Sequence, residues 1–142
     1  METQDDKRWR IFDEINQERV RQDAKWGEQN HPDVDRVLTD RVPSPFHKSS
    51  FATPGCTPHR MAEEYGIPDA TRARASCDGA ARIGQCTWAH ILVEEIAEAV
   101  EAATLAQLGR GPLAALRKEL VQVAAVAVSW IEAIDRRAAD GR

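Results

Sequence analysis

Trp88-Ala-His-Ile-Leu-Val-Glu-Glu-Ile-Ala-Glu-Ala-Val-Glu-Ala-Ala103 is the stretch from which the fold is read. It holds neither Gly nor Pro, and most of its residues favour the helix. At ~100° per residue, Trp88, Leu92, Ile96, Ala99, Val100 and Ala103 share one apolar arc, which Ile91 and Ala102 extend. Glu95 falls inside that arc, about 340° from Trp88, and Glu98 sits at its edge, at about 280°. Glu94 and Glu101 face further out. A carboxylate among core positions is costly unless something pairs with it, so Glu95 calls for a cation.

The next apolar stretch, Ala114 to Ile134, is apolar around most of its circumference, as a central bundle helix is. Glu119 again lies on an apolar face, between Val126 and Trp130, while Arg117 and Lys118 point elsewhere. Gln122 follows one turn later, about 60° away, and frames the same position. Gly109-Arg-Gly111 breaks the first helix and Pro112 opens the second. So short a connection makes the two antiparallel neighbours whose acids face one another. Three carboxylates and an amide oxygen suit a hard, oxygen-seeking cation, Mg²⁺ or Mn²⁺. Buried salt bridges or a carboxylate network are the competing reading of the same pattern.

Glu94-Glu95-Ile-Ala-Glu98 followed by Glu119-Leu-Val-Gln122 resembles the MazG-like, all-α nucleoside triphosphate pyrophosphohydrolases. That family carries E-E-x-x-E and then E-x-x-D on two packed helices, and its acids bind Mg²⁺. The resemblance covers residues 8–32 and 87–135. It implies metal ligation by Glu95, Glu98, Glu119 and Gln122, and a catalytic role for Glu94 and Glu95. It also implies attack of water on the α-phosphorus, with release of pyrophosphate and a monophosphate. Gln122 stands where the family has Asp, so the site has one negative charge fewer. In the family, a Trp followed by His and Pro borders the nucleotide pocket, and Trp26 and His31-Pro32 resemble that group. Lys25, Trp26, Asn30 and His31 are thus the candidate substrate contacts: Trp stacks a base, and Lys and His meet phosphate or base edges. The plainer reading makes Trp26 a core cap and His31 a turn residue.

The chain has 142 residues, enough for one domain with a modest core, and a net charge of −4. That balance argues against a dedicated nucleic-acid surface. The run from 120 to 131 is too short and too Ala-rich to span a bilayer, and no apolar signal opens the chain, so a cytoplasmic protein is expected. Three cysteines, Cys56, Cys77 and Cys86, with no C-x-x-C, read as free thiols in a reducing compartment.

An amphipathic helix is expected over 8–23, with Trp9, Phe12, Ile15, Arg19 and Val20 on one stripe. Residues 33–59 read as an irregular insertion rich in Pro and Ser. Its Arg41, His47, Lys48 and His59, with Arg60, read first as solvated charge and second as triphosphate contacts. A short helix is expected at 60–65, another from Pro68 to 82, then the two acid-bearing helices, the first capped by Thr87. The expectation is one all-α domain over 1–142, a bundle of four to five helices that dimerises or tetramerises. Two rival functions stay open: a nucleotide- or metal-binding module without turnover, and a structural helical dimerisation protein.

Overall fold

The computed structural model describes residues 1–35 and 56–141 and is all-α, with no strand among the described residues. Among the described residues five helices follow in order: α1 (Gln4–Trp26), α2 (Pro58–Glu64), α3 (Ala70–Arg82), α4 (Trp88–Gln107) and α5 (Leu113–Ala139). None of them is long and apolar enough to cross a membrane. Arg41, His47 and Lys48, and most of the irregular insertion, lie outside the described residues. The chain divides into two compact units, Met1–His31 with Ala124–Arg142, and Pro32–Val123.

In the first unit, α1 begins at a reciprocal cap. The Thr3 hydroxyl accepts from Asp6 N–H (3.1 Å), and the Asp6 carboxylate accepts from Thr3 N–H (2.9 Å). The helix ends at Gly27, whose φ of 65° is left-handed. Arg8 and Gln4 both reach Glu132 near the end of α5, at 2.8 and 3.2 Å. Ile11 and Val128 are buried. The stripe expected to bury Trp9, Phe12 and Ile15 is instead exposed, and Ile11 is the buried residue of α1. The face carrying Arg8 and Ile11 is the one engaged, and the Trp9 and Phe12 rings stack edge to face at 5.6 Å.

The second unit is organised by α4, against which both α2 and α3 pack. Alanines permit the approach. Ala70 and Ala73 of α3 and Ala97 of α4 form one buried cluster. Met61 of α2 is wholly buried with Val34, Cys56, Ala99, Ala103 and Leu116 in the other. Pro58 opens α2 behind its cap Thr57, where the missing proline N–H costs nothing. Asp69, rather than Pro68, sets the start of α3. Its carboxylate accepts from Arg72 N–H at 2.9 Å, so regular helix begins at Ala70. Thr87 caps α4 as expected, and His90 returns the bond to the Thr87 N–H at 3.2 Å.

The turn between α4 and α5 fixes the acid-bearing pair. Gly109 (φ 71°) donates to Ala106 O, and Arg110 donates to Leu105 O, which closes the end of α4. Leu105 lies against Gly111 at the turn, and further along the same two helices Glu98 and Glu119 come together, so α4 and the start of α5 run antiparallel.

Candidate metal centre

Glu94, Glu95 and Glu98 lie on the first half of α4, and Glu119 lies two turns into α5. The helical period turns Glu95 and Glu98 toward α5, and the antiparallel hairpin brings Glu119 to meet them. Glu95, Glu98 and Glu119 each offer a carboxylate oxygen, all within 4.8 Å of one another, and all three residues are half-buried. Among the described residues, this is the sole group of three or more His, Cys, Asp or Glu side chains so placed.

Charge is concentrated here. Burial pushes the Glu95 carboxyl above its ordinary value, and the neighbouring charges of Glu98, Glu119 and Glu94 push it the same way. One counter-charge comes from α3, where Arg74 contacts Glu98 at 2.8 Å. That bond, together with the charges of Glu98, Glu101 and Glu94, holds the Arg74 guanidinium above its usual pKa. Among the described residues, no Lys, Arg or His makes an ion pair with Glu95 or Glu119. The trio therefore keeps a net negative charge and an all-oxygen donor set, the donors a hard divalent cation takes.

Glu94 stands outside the trio. The Cys77 thiol has its pKa pushed up to about 12 by the influence of Glu94, by burial and by Cys86. Gln122 is exposed, one turn beyond Glu119. Lys25, Trp26, Asn30 and His31 belong to the first unit and are exposed. The Lys25 ammonium lies 4.7 Å from the Trp26 ring centroid, and the Asn30 amide donates to Glu28 at 3.0 Å. His59 holds Asp69 (2.6 Å) and Glu63 (3.0 Å), one acid on each ring nitrogen.

Two arginines were not foreseen from the sequence. Arg74 and Arg110 line an open groove of about 380 Å³ together with Glu98, Glu101 and Glu119. Arg74 follows Ala73 at the edge of the buried alanine face of α3, and an Arg beside such a stripe is the signal that points it at α4.

No family model, curated protein or solved structure matches the chain. The functional reading therefore stands on these residues and their spacing.

Proposed function

We propose that this chain is a divalent-metal-dependent nucleoside triphosphate pyrophosphohydrolase, with the metal held by Glu95, Glu98 and Glu119. The observation that carries the reading is the meeting of three carboxylates, from two helices, within 4.8 Å of one another. Its sequence support is the E-E-x-x-E and E-x-x-Q pattern at positions 94–98 and 119–122. Mg²⁺ or Mn²⁺ bound there would neutralise a triphosphate and acidify a water for attack at the α-phosphorus. Gln122 supplies a neutral oxygen one turn from Glu119. Arg74 and Arg110, on the adjoining groove, offer guanidinium groups to phosphate oxygens. Glu94, the first acid of the pattern, would accept a proton or orient the water.

The test is pyrophosphate release from a panel of ordinary and modified ribo- and deoxyribonucleoside triphosphates, with Mg²⁺ or Mn²⁺. Wild type is run beside Glu95→Ala and Gln122→Asp. Metal-dependent release that disappears in Glu95→Ala is the expected result. Silence from all three proteins, with no nucleotide bound, overturns the reading. A second reading is favoured by Gln122, the neutral residue in an otherwise acidic pattern: a module that binds nucleotide without turning it over. Its signature is nucleotide binding by a silent wild type, with release gained in Gln122→Asp.

Self-association belongs to the same proposal. Trp9, Phe12 and Ile15 are 69%, 40% and 42% exposed along one face of α1, a stripe that a second copy of the chain would cover. Light scattering on wild type and Trp9→Glu decides this. A dimer that becomes a monomer is expected, and a monomeric wild type ends the idea.

A further inference from the structure

We propose that Cys77 and Cys86 are a redox-responsive thiol pair that closes into an intramolecular disulfide. The two sulfurs lie 3.7 Å apart. Cys77 is on α3, five residues before its end, and Cys86 immediately precedes Thr87, the cap of α4. Residues 83–87, between the two helices, are outside regular structure, so Cys86 can advance without breaking a helical hydrogen bond. A disulfide needs the sulfurs about 2.05 Å apart, so the gap to close is on the order of 1.7 Å. A side-chain rotation and a small shift of that non-helical segment supply it. Both sulfurs are accessible to a small oxidant: Cys86 is exposed and Cys77 half-buried, whereas Cys56 is buried in the core.

Two sulfurs at this spacing also suit a shared tetrahedral metal. A structural site of that kind takes four ligands, however, and among the described residues no group of three His, Cys, Asp or Glu forms around these two. The disulfide is the reading the geometry carries.

The chemistry balances with a peroxide as oxidant. Cys86 attacks one peroxide oxygen, giving a sulfenic acid and one water. The Cys77 sulfur then attacks the Cys86 sulfur; an S–S bond forms, the S–O bond breaks, and the hydroxyl leaves as a second water with the Cys77 proton. Two electrons pass from the two thiols to the peroxide. A small dithiol reverses the reaction by exchange, and is itself oxidised to its disulfide.

The test is hydrogen peroxide treatment of the full chain, followed by alkylation under denaturing conditions and intact and peptide mass spectrometry. Wild type is compared with Cys56→Ser, Cys77→Ser and Cys86→Ser. Oxidised wild type is expected to lose about 2 Da and two of its three alkylatable thiols, with a 77–86 cross-linked peptide. The cross-link persists in Cys56→Ser, is absent from the other two variants, and is undone by dithiothreitol. Three outcomes overturn the proposal: sulfinic acid on Cys86 with no cross-link, a bridge that uses Cys56 or joins two chains, and a zinc ion retained by both sulfurs in native mass spectrometry.

Discussion

At the scale of single residues, Glu95 and Arg74 state the electrostatic problem of this chain. Glu95 is held in a half-buried position among three other acids, and its pKa is raised chiefly by burial. The sign follows directly. Its folded value lies above the unfolded value, so the ionised side chain costs stability at any pH above the folded pKa, and costs none below the unfolded one. Glu95→Gln is therefore expected to raise the melting temperature near neutral pH in EDTA, by on the order of 2 °C, and to remove any stabilisation by Mg²⁺ or Mn²⁺. Calorimetry with and without metal measures both effects; a variant less stable than wild type in EDTA contradicts the account. Arg74 sits on the other side of the balance, because its guanidinium and a divalent cation compete for Glu98. Arg74→Ala is expected to tighten Mn²⁺ binding on the order of fivefold, the effect of removing one positive charge near the site. Titration calorimetry reads the dissociation constant, and an unchanged or weaker affinity counts against competition.

At the scale of elements, the junction between α2 and α3 is joined by polar side chains. His59 of α2 bonds Asp69, the cap of α3, and this bond, before the charges of Glu63 and Asp69, raises the His59 pKa. Stability from this group is complete below the unfolded histidine pKa of about 6.5 and is lost as pH rises through the higher folded value. Asp69 works in the opposite direction. The Arg72 N–H and then His59 lower its pKa, so its share is complete above the unfolded value of 3.8 and lost as pH falls through the folded one. Urea unfolding is expected to show wild-type stability declining across the window above pH 6.5, and His59→Gln flattening that slope; parallel profiles would remove His59 from the account. The alanine interface makes a second demand. Ala97 is 2% exposed against Ala70 and Ala73, and Ala97→Leu is expected to cost about 1–3 kcal/mol by forcing α3 off α4. An unchanged urea midpoint would mean that the interface has room to spare.

These elements also show how far the sequence alone could be read. Thr87 and the Gly109–Pro112 turn were legible because caps and breakers act within a few residues. Glu95 and Glu119 were legible because a carboxylate at an apolar helical position is conspicuous in the 3.6-residue period. Arg74 was not, because its partner Glu98 is 24 residues away and on another helix. The Cys77–Cys86 approach depends on how the 83–87 turn folds back, which no periodicity encodes. On α1 the period identified an apolar stripe, yet the face carrying Arg8 and Ile11 is the buried one. Tertiary partners, here Glu132 with Arg8, decide which side of an amphipathic helix is covered.

At the scale of the whole molecule, net charge constrains any nucleotide chemistry. The chain carries −4 at pH 7, and its candidate centre is the meeting point of three acids. A triphosphate brought to such a site alone meets repulsion at every approach, and at 4 Å each like-charge pair costs about 1 kcal/mol even at the dielectric of water. Arg74 is already engaged with Glu98, which leaves Arg110 as the other arginine on the groove. Nucleotide binding is therefore expected to be conditional on the divalent ion. Calorimetric titration with a non-hydrolysable triphosphate should show binding in Mg²⁺ and none in EDTA. A ligand at a hundredfold excess over its Kd adds about 2.7 kcal/mol to stability, so nucleotide and Mg²⁺ together should raise the melting temperature by several degrees. Glu119→Gln should lose that rise, because it removes the one trio member that α5 supplies. Equal nucleotide affinity in Mg²⁺ and EDTA would place binding on the arginines and assign the acids another role.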